Sequence, residues 1–195
     1  MKYDIILAGV GGQGVLSIAA IVGVAAVDSG LRMKQSEVHG MSQRGGEVQS
    51  HLRIADRQIF SDLIPAGRAD MILSMEPLET LRYLPYLCAE GVIVAECNPL
   101  VNIPNYPPIG EVLSVLQAHP RATLIDGVGI ARALRATRSS NMALLGAAST
   151  FLPLPVADLE QAIDKVFGRK GEAVVAQNIE AFRQGRAITT TAQVG

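Results

Sequence analysis

The chain contains 195 residues with a formal net charge of −1, and 49% of them are hydrophobic, mostly small aliphatic types with no tryptophan. This length suits one domain with a sizeable core, and the near-zero charge gives no electrostatic reason to expect binding to nucleic acid or to an acidic membrane. The longest apolar run, Ile18–Val27, is shorter than the roughly 20 residues that cross a bilayer, and because no signal peptide pattern is visible we expect a cytoplasmic protein.

The hydrophobic pattern predicts alternating strands and helices in the N-terminal half of the chain. In chain order we expect strand Tyr3–Ala8, helix Gln13–Ser29, a polar extended segment Met33–Val38, and strands Val48–Ile54 and Ile59–Asp62, followed by strand Asp70–Met75, helix Pro77–Leu87 and strand Gly91–Cys97. The segment Ala55-Asp56-Arg57-Gln58 predicts a turn that pairs Val48–Ile54 with Ile59–Asp62 as an antiparallel hairpin. Strict alternation in the first of these two strands places His51 on the polar, surface-exposed side.

The C-terminal half is predicted to become progressively helical. A proline-rich loop, Asn98–Pro108, precedes helix Ile109–Ala118, strand Ala122–Asp126, helix Val128–Ala136 and helix Asn141–Phe151. Two further helices are predicted from apolar residues spaced i, i+4, i+7, at Leu159, Ile163 and Val166 and again at Val175, Ile179 and Phe182. Residues 188–195 show no periodicity and are expected to be a disordered tail.

These elements predict an α/β fold, a doubly wound and mostly parallel sheet with an antiparallel hairpin insertion and a helical C-terminal region. We expect a single domain over residues 1–195, because no internal repeat or linker divides the chain. Only two cysteines, Cys88 and Cys97, are present, whereas an iron–sulfur cluster typically needs four cysteine ligands. We therefore expect this chain to bind no metal or cluster by itself.

The glycine-rich turn Gly9-Val10-Gly11-Gly12-Gln13-Gly14 lies between an apolar strand and an apolar helix. Such a turn suits a dinucleotide site, a contact to some other phosphate, or a close structural or subunit contact, and the pattern alone does not decide among them. Glu37 lies near the distance at which a dinucleotide site places its ribose-binding acid, but its strand is polar. The candidate phosphate or close-contact residues are Gly9, Gly11, Gly12, Gln13 and Gly14, and we expect Gly11 and Gly14 to need positive φ or a site without room for a side chain.

A second unusual segment spans Ser36 to Gly46, with the sequence Ser-Glu-Val-His-Gly-Met-Ser-Gln-Arg-Gly-Gly. Together with Gly11–Gly14, Ser50–Arg53, Glu76–Glu79, Asn141–Gly146 and Asn178–Phe182, it resembles the gamma-type subunits of the 2-oxoacid:ferredoxin oxidoreductases. The resemblance covers nearly the whole chain, and its most specific part, the Ser36–Gly46 segment, favours the indolepyruvate branch over the pyruvate and 2-oxoglutarate branches.

The resemblance implies a subunit that works with a larger alpha subunit. In that family the alpha subunit carries thiamine diphosphate, Mg²⁺ and [4Fe–4S] clusters, and the complex converts an arylpyruvate and coenzyme A to an acyl-CoA while ferredoxin accepts two electrons. We expect no cofactor on this chain, and alpha subunit and ferredoxin as its partners. The alternatives are a gamma subunit for another 2-oxoacid (pyruvate, 2-oxoglutarate or a branched-chain one) and, from a different class, a stand-alone dinucleotide-binding protein.

Several single residues have both a functional and a structural interpretation. His39 and Arg44 are candidate contacts to the partner's active site, or else a hydrogen-bonded loop histidine and one half of an ion pair. Arg132, Arg135 and Arg138 recur every three residues, which predicts one helical face that is solvated or contacts an acidic partner or a coenzyme A phosphate. Glu76 and Glu79 at a helix start are explained by the helix dipole.

Overall fold

The computed structural model describes residues 1–39 and 45–192 as alternating strands and helices. The strands are β1 (Lys2–Val10), β2 (Arg32–His39), β3 (Glu47–Ala55), β4 (Ala69–Ser74), β5 (Leu87–Glu96) and β6 (Ala122–Ile125). The helices are α1 (Val15–Asp28), α2 (Pro77–Tyr83), α3 (Ile109–Gln117), α4 (Gly127–Ala133), α5 (Ser140–Ala148), α6 (Val156–Phe167) and α7 (Glu172–Ala192). Short 3₁₀ turns follow α2 and α6 at Leu84–Tyr86 and Gly168–Lys170.

The strands form one sheet in the order β2-β3-β1-β4-β5-β6. Strands β1, β4, β5 and β6 pair in parallel, whereas β3 runs antiparallel to both of its neighbours, β1 and β2. The predicted α/β class, with a mostly parallel sheet and an antiparallel insertion, is confirmed. Because parallel strands end at the same edge, the turns after β1, β4 and β5 lie together at the carboxyl edge of the sheet.

The two faces of the sheet are covered unequally. The larger core, which includes Ile5, Ile18 and Leu144, lies under α1, α5, α6 and α7. A smaller cluster on the opposite face, which includes Ile6 and Ile64, lies under α2 and an irregular loop over residues 56–68. The helical layer therefore packs mainly against one face of the sheet.

The predicted hairpin between Val48–Ile54 and Ile59–Asp62 is wrong, because the second segment is not a strand. It belongs to loop 56–68, and the antiparallel partners of β3 are β1 and β2. Arg53 Nη1 donates to the carbonyl oxygens of Ser61 and Leu63 at 3.0 and 2.9 Å. A half-buried strand side chain thus satisfies loop carbonyls that a strand ladder would otherwise satisfy.

The expected disordered tail is also wrong for residues 188–192, because α7 continues to Ala192 and Thr189 is buried. Residues 193–195 lie outside the described part of the chain. Among the helices that the structure describes, none has the length and apolar character needed to span a membrane.

Candidate functional site

The glycine turn lies where β1 ends, at the carboxyl edge of the sheet. The Gly11 amide donates to the Gly46 carbonyl at 2.8 Å, and the Gln13 amide donates to the Val10 carbonyl at 3.1 Å. Helix α1 begins directly after the turn, at Val15, so its unpaired amide groups face the same edge. The predicted strand, turn and helix are confirmed, and the turn is fixed against the residues that enter β3.

The side chain of Gln13 ties the turn to the neighbouring strand. Its Oε1 accepts a hydrogen bond from the Val10 amide at 2.7 Å, and its Nε2 donates to the Met75 carbonyl at 3.0 Å. A Cβ on Gly9 would lie 2.9 Å from Gln13 Oε1, so a glycine there leaves room for the amide. Gln13 therefore fills part of the crevice between β1 and β4, where doubly wound folds bind the diphosphate of a dinucleotide.

Two glycines of the turn have backbone conformations that other residues rarely adopt. Gly12 has φ 103° and Gly14 has φ 83°. A Cβ on Gly14 would also lie 2.5 Å from Asn141 Nδ2. The expectation is confirmed for Gly14. Gly11 is not among the described glycines with positive φ, so for Gly11 the other alternative, a site without room for a side chain, stays a prediction.

Glu37, the candidate for the ribose-binding acid of a dinucleotide site, lies far from the glycine turn in the sheet. In a classical site the second strand lies next to β1, but here β3 separates β1 from β2. Glu37, near the end of β2, is therefore two strands away and lies opposite Ser50 of β3. Together with the position of Gln13, this arrangement argues against the stand-alone dinucleotide-binding alternative.

A cavity of about 560 Å³ opens beside the turn, next to the first residues of α1 and α5 and the N-terminal part of α7. Three cationic residues line it, namely Arg135, Arg138 and Lys170. Within residues 1–39 and 45–192, no carboxylate forms a salt bridge with any of the three. Unpaired cations beside helix N-termini are the groups that proteins use to bind phosphate.

The three arginines do not share one helical face, so that prediction is wrong. Helix α4 ends at Ala133, Arg135 follows it with φ 54°, and Arg138 precedes α5. Arg135 is the one non-glycine residue with positive φ in the described ranges, at a helix C-terminus where glycine is usual. The reversal of the chain brings Arg135 and Arg138 to the cavity, while Arg132 lines a neighbouring pocket that shares Gln13 and Ser140 with it.

Asn141, in the first turn of α5, lines the same cavity and is only 5% exposed. Its Nδ2 donates to the Gly14 carbonyl at 3.2 Å, whereas its Oδ1 has no hydrogen-bond partner in the described structure. Asn141 belongs to one of the family-like segments of the sequence, but neither Asn141 nor Lys170 was predicted to line a site. Neither residue carries a local signal, because only the packing of α5 and the turn before α7 brings them to the glycine turn.

A group of Glu96, Cys97 and Asp126 at the end of β5 has the spacing of a metal site, with ligand atoms within 4.8 Å of one another. Both Glu96 oxygens already accept backbone amide hydrogens, from Asn98 at 3.0 Å and Val128 at 3.2 Å. Burial raises the pKa of Glu96, and burial and the neighbouring carboxylates raise the pKa of the Cys97 thiol to about 11. These hydrogen bonds tie the end of β5 to the start of α4, which gives the buried Glu96 a structural role.

Glu76 and Glu79 have the structural role that the sequence predicts. Glu76 caps α2, since its Oε2 accepts the Glu79 amide hydrogen at 2.9 Å, and its Oε1 accepts from the Tyr106 hydroxyl at 2.5 Å. Glu79 pairs with Arg82 at 3.0 Å. Burial raises the pKa of Glu79, and burial followed by the hydrogen bond to Glu76 raises the pKa of Tyr106.

His51 is buried, at 4% exposure, so its predicted surface position is wrong. Its Nδ1 accepts a hydrogen bond from the Ile64 amide at 2.9 Å, its Nε2 lies 2.7 Å from Gln49 Nε2, and the ring packs edge-on against Tyr86. Burial and Arg53 lower the pKa of His51. Alternation correctly predicted its face of the sheet, but loop 56–68 covers that face.

The two candidate partner contacts cannot be placed by their side chains. His39 is the last residue of β2, at the same edge as the turn, but its side chain lies outside the described part of the structure, as does all of Arg44. Where the described structure resumes, the Gly45 carbonyl accepts a hydrogen bond from Asn102 Nδ2 at 2.7 Å. The proline-rich loop after β5 therefore contacts the end of the Ser36–Gly46 segment.

The chain is similar to known proteins along nearly its whole length. Residues 4–188 match the family described as pyruvate ferredoxin/flavodoxin oxidoreductase. Indolepyruvate oxidoreductase subunit IorB from Methanothermobacter thermautotrophicus is 35% identical over 194 residues, covering 95% of this chain and 96% of the relative.

Two solved structures have the same fold. A 2-oxoglutarate:ferredoxin oxidoreductase chain from Magnetococcus marinus, bound to 2-oxoglutarate, coenzyme A and succinyl-CoA, matches with a TM-score of 0.79 at 22% identity; the match covers 97% of this chain and 31% of that longer chain. The gamma subunit of a keto/oxoacid ferredoxin oxidoreductase from Geobacter sulfurreducens matches with a TM-score of 0.71 at 24% identity, covering 97% and 99% of the two chains.

Proposed function

Because the chain belongs to the pyruvate ferredoxin/flavodoxin oxidoreductase family, we propose that it is the smaller subunit of a cytoplasmic enzyme that oxidises arylpyruvates such as indolepyruvate. In this reaction an arylpyruvate anion, coenzyme A and two oxidised ferredoxins give arylacetyl-CoA, carbon dioxide, a proton and two reduced ferredoxins. The observation that carries the proposal is the 35% identity to an indolepyruvate oxidoreductase subunit over 95% of the chain.

The subunit contributes no redox cofactor of its own in this proposal. Its two cysteines are fewer than the four ligands that a cluster usually needs. Thiamine diphosphate, Mg²⁺ and the [4Fe–4S] clusters then reside on the larger alpha subunit, which also receives the substrate and transfers electrons to ferredoxin. This chain contributes residues that surround the active site of the complex, but no group that reacts.

The carboxyl edge of the sheet is the surface that faces the partner in this proposal. The glycine turn, the end of β2 and the Asn102 contact to Gly45 meet at that edge. His39 and Arg44 act as anchors on the alpha subunit near its active site. A segment with so many polar groups needs hydrogen-bonding partners when it is buried, and an assembled interface supplies them.

The cavity beside the turn is the place at which this chain meets coenzyme A. Arg135, Arg138 and Lys170 provide charge for the phosphates, and the first turns of α1 and α5 provide amide groups. The candidate residues Gly9, Gly11, Gly12, Gln13 and Gly14 form the turn that borders this cavity. Gly12, Gln13 and Gly14 line it directly, whereas Gly9 makes room for the side chain of Gln13.

The proposal is tested by the substrate preference of the co-purified complex. Ferredoxin reduction is measured with indolepyruvate, phenylpyruvate, pyruvate, 2-oxoglutarate and a branched-chain 2-oxoacid at saturating coenzyme A. We expect kcat/KM for the two arylpyruvates to exceed the others by about tenfold or more, which is about 1.4 kcal/mol of transition-state discrimination. A preference for 2-oxoglutarate or pyruvate would instead favour a gamma subunit of another branch.

A further inference from the structure

The cavity beside the glycine turn contains one buried acceptor whose hydrogen bond is missing. Asn141 is 5% exposed, and its Oδ1 has no donor in residues 1–39 and 45–192. Leaving a buried amide oxygen unpaired costs about 1–3 kcal/mol, so such atoms normally have a partner. The missing donor is therefore expected from a molecule that enters the cavity.

The orientation of the Asn141 amide is fixed by its surroundings. Nδ2 donates to the Gly14 carbonyl at 3.2 Å, and exchanging the two amide atoms would place two acceptors against each other. Gly14 itself is held at φ 83°, between the turn and α1. The acceptor Oδ1 is thus kept in one orientation by the same turn that borders the cavity.

The charges around Asn141 select an anionic ligand. Arg135, Arg138 and Lys170 line the cavity, and Lys170 is held with its Nζ 4.9 Å from the centre of the Phe167 ring. Cations suit the phosphate groups of a ligand, whereas a neutral amide oxygen suits an N–H or O–H in its organic part. A ligand that satisfies both is a phosphate ester with a hydrogen-bond donor near its phosphates.

We propose that Asn141 is a specificity-determining residue, which accepts a hydrogen bond from the organic part of a phosphate ester bound by Arg135, Arg138 and Lys170. The identity of that ester as coenzyme A rests on the proposed function. Asn141 then distinguishes the coenzyme from simple anions, which the three cations attract equally well. Arg138 supplies affinity for any anion, and Asn141 supplies preference for the donor-bearing ligand.

The test compares two probes on the purified full-length chain. Coenzyme A carries N–H and O–H donors, whereas sulfate is an anion without donors at neutral pH. Calorimetry with coenzyme A and NMR titration with sulfate are applied to the parent chain and to three variants, Asn141→Ala, Arg138→Gln and Arg57→Gln. Arg57→Gln is the matched control, because it removes the same charge from an exposed residue of loop 56–68 that does not line the cavity.

The expected pattern separates the two roles. Asn141→Ala weakens coenzyme A binding by roughly tenfold, the equivalent of one hydrogen bond, and leaves sulfate binding unchanged. Arg138→Gln weakens the binding of both probes, and Arg57→Gln weakens the binding of neither. If Asn141→Ala lowers the melting temperature, Asn141→Leu, which has a similar shape but no hydrogen-bond acceptor, is measured instead. Titration with 3′,5′-ADP and with phosphopantetheine then shows which half of the coenzyme carries the donor.

Three results would overturn the inference. The first is unchanged coenzyme A affinity in a folded Asn141 variant, and the second is an equal loss for both probes, which would indicate a structural role. The third is the absence of coenzyme A binding to the full chain. None of these results touches the subunit assignment, which is tested separately by turnover of the assembled complex.

Discussion

Single residues in the glycine turn have unequal tolerance for a side chain. Gly12 has φ 103° with no atom within 4 Å of an added Cβ, whereas Gly14 combines φ 83° with Asn141 Nδ2 at 2.5 Å. We predict that Gly12→Ala lowers the free energy of unfolding by about 1 kcal/mol through backbone strain alone. Gly14→Ala is predicted to lower it by about 2–4 kcal/mol, because Asn141 must also move.

Urea unfolding of both variants and the parent chain measures this difference. Gly12→Ala serves as the control for backbone strain without a steric clash. Equal losses of stability in the two variants would show that Asn141 does not pack against the turn as described.

The buried His51 predicts a specific pH dependence of stability. Burial lowers its pKa in the folded chain below the value of about 6.5 expected when unfolded. The unfolded chain therefore binds more protons as the pH falls below about 6.5, so the free energy of unfolding decreases there. Protonation also places a second donor against the Ile64 amide, which loosens loop 56–68.

The measurement is urea unfolding of the parent chain and His51→Asn between pH 7.5 and pH 5.5, an interval that spans the unfolded histidine pKa of about 6.5. Asparagine keeps a side-chain acceptor near the Ile64 amide but does not titrate. The parent chain is expected to lose more stability than the variant over this interval. Parallel profiles would mean that His51 is not the group responsible.

For single residues, the local role was easier to predict from the sequence than the tertiary contacts that each side chain makes. The glycine turn and the position of Glu76 and Glu79 at a helix start follow from local rules and were predicted, whereas the side-chain cap made by Glu76 was not. The burial of His51 was missed because its cover comes from loop 56–68, whose path no local pattern specifies. Asn141 was missed as a cavity residue for the same reason, since α5 reaches the turn only through tertiary packing.

At the scale of helices, the closest packing joins α5 and α7. A Cβ on Gly146 would clash with the Phe182 carbonyl, and one on Gly185 would clash with the Ala143 carbonyl. These backbone atoms cannot give way without separating the two helices. Since α5 carries Asn141 and α7 borders the cavity, this contact also fixes the shape of the candidate site.

We predict that Gly185→Ala lowers the free energy of unfolding by about 3 kcal/mol or more, because backbone leaves no space for the methyl group. Gly110→Ala in α3 is the control, since no atom lies within 4 Å of its added Cβ. That change is expected to stabilise the chain by up to about 1 kcal/mol through helix propensity. Thermal and urea unfolding of the two variants measure the difference. Unchanged stability of Gly185→Ala would contradict the close packing of α5 against α7.

The order and type of the elements were mostly predictable, whereas strand pairing was not. Buried strands such as β4 and β5 follow from continuous apolar runs. The false strand at Ile59–Asp62 arose because a short apolar stretch after a turn resembles a hairpin, but Arg53 holds this stretch as a loop. The length of α7 was underestimated because its last turns are rich in threonine, which lacks an apolar period but packs through Thr189.

For the whole molecule, the chemistry-bearing features gather at the carboxyl edge of the sheet. The turn after β1, the cavity beside it and the loop contact between Asn102 and Gly45 all lie there. Helices α1, α5, α6 and α7 cover one face, and residues at the beginning of α5 and α7 border the cavity at this edge. Such an arrangement suits a subunit that completes a site together with a partner chain.

We predict that Arg44→Ala separates assembly from folding. If Arg44 anchors the alpha subunit, its removal leaves the melting temperature of the isolated chain nearly unchanged but weakens association by about 2 kcal/mol or more. Sedimentation or calorimetric titration with the alpha subunit measures the association, and Arg57→Ala in loop 56–68 is the control. A destabilised chain that still assembles and turns over normally would contradict the prediction.

The central claim, that this chain is an obligatory subunit without a redox cofactor of its own, is tested most directly by titrating it into separately purified alpha subunit. Ferredoxin reduction is followed with indolepyruvate and coenzyme A as substrates. The account predicts no turnover by this chain alone, little by the alpha subunit alone, and activity that rises with added chain until it saturates. Full activity of the alpha subunit by itself, or turnover by this chain in its absence, would contradict the account.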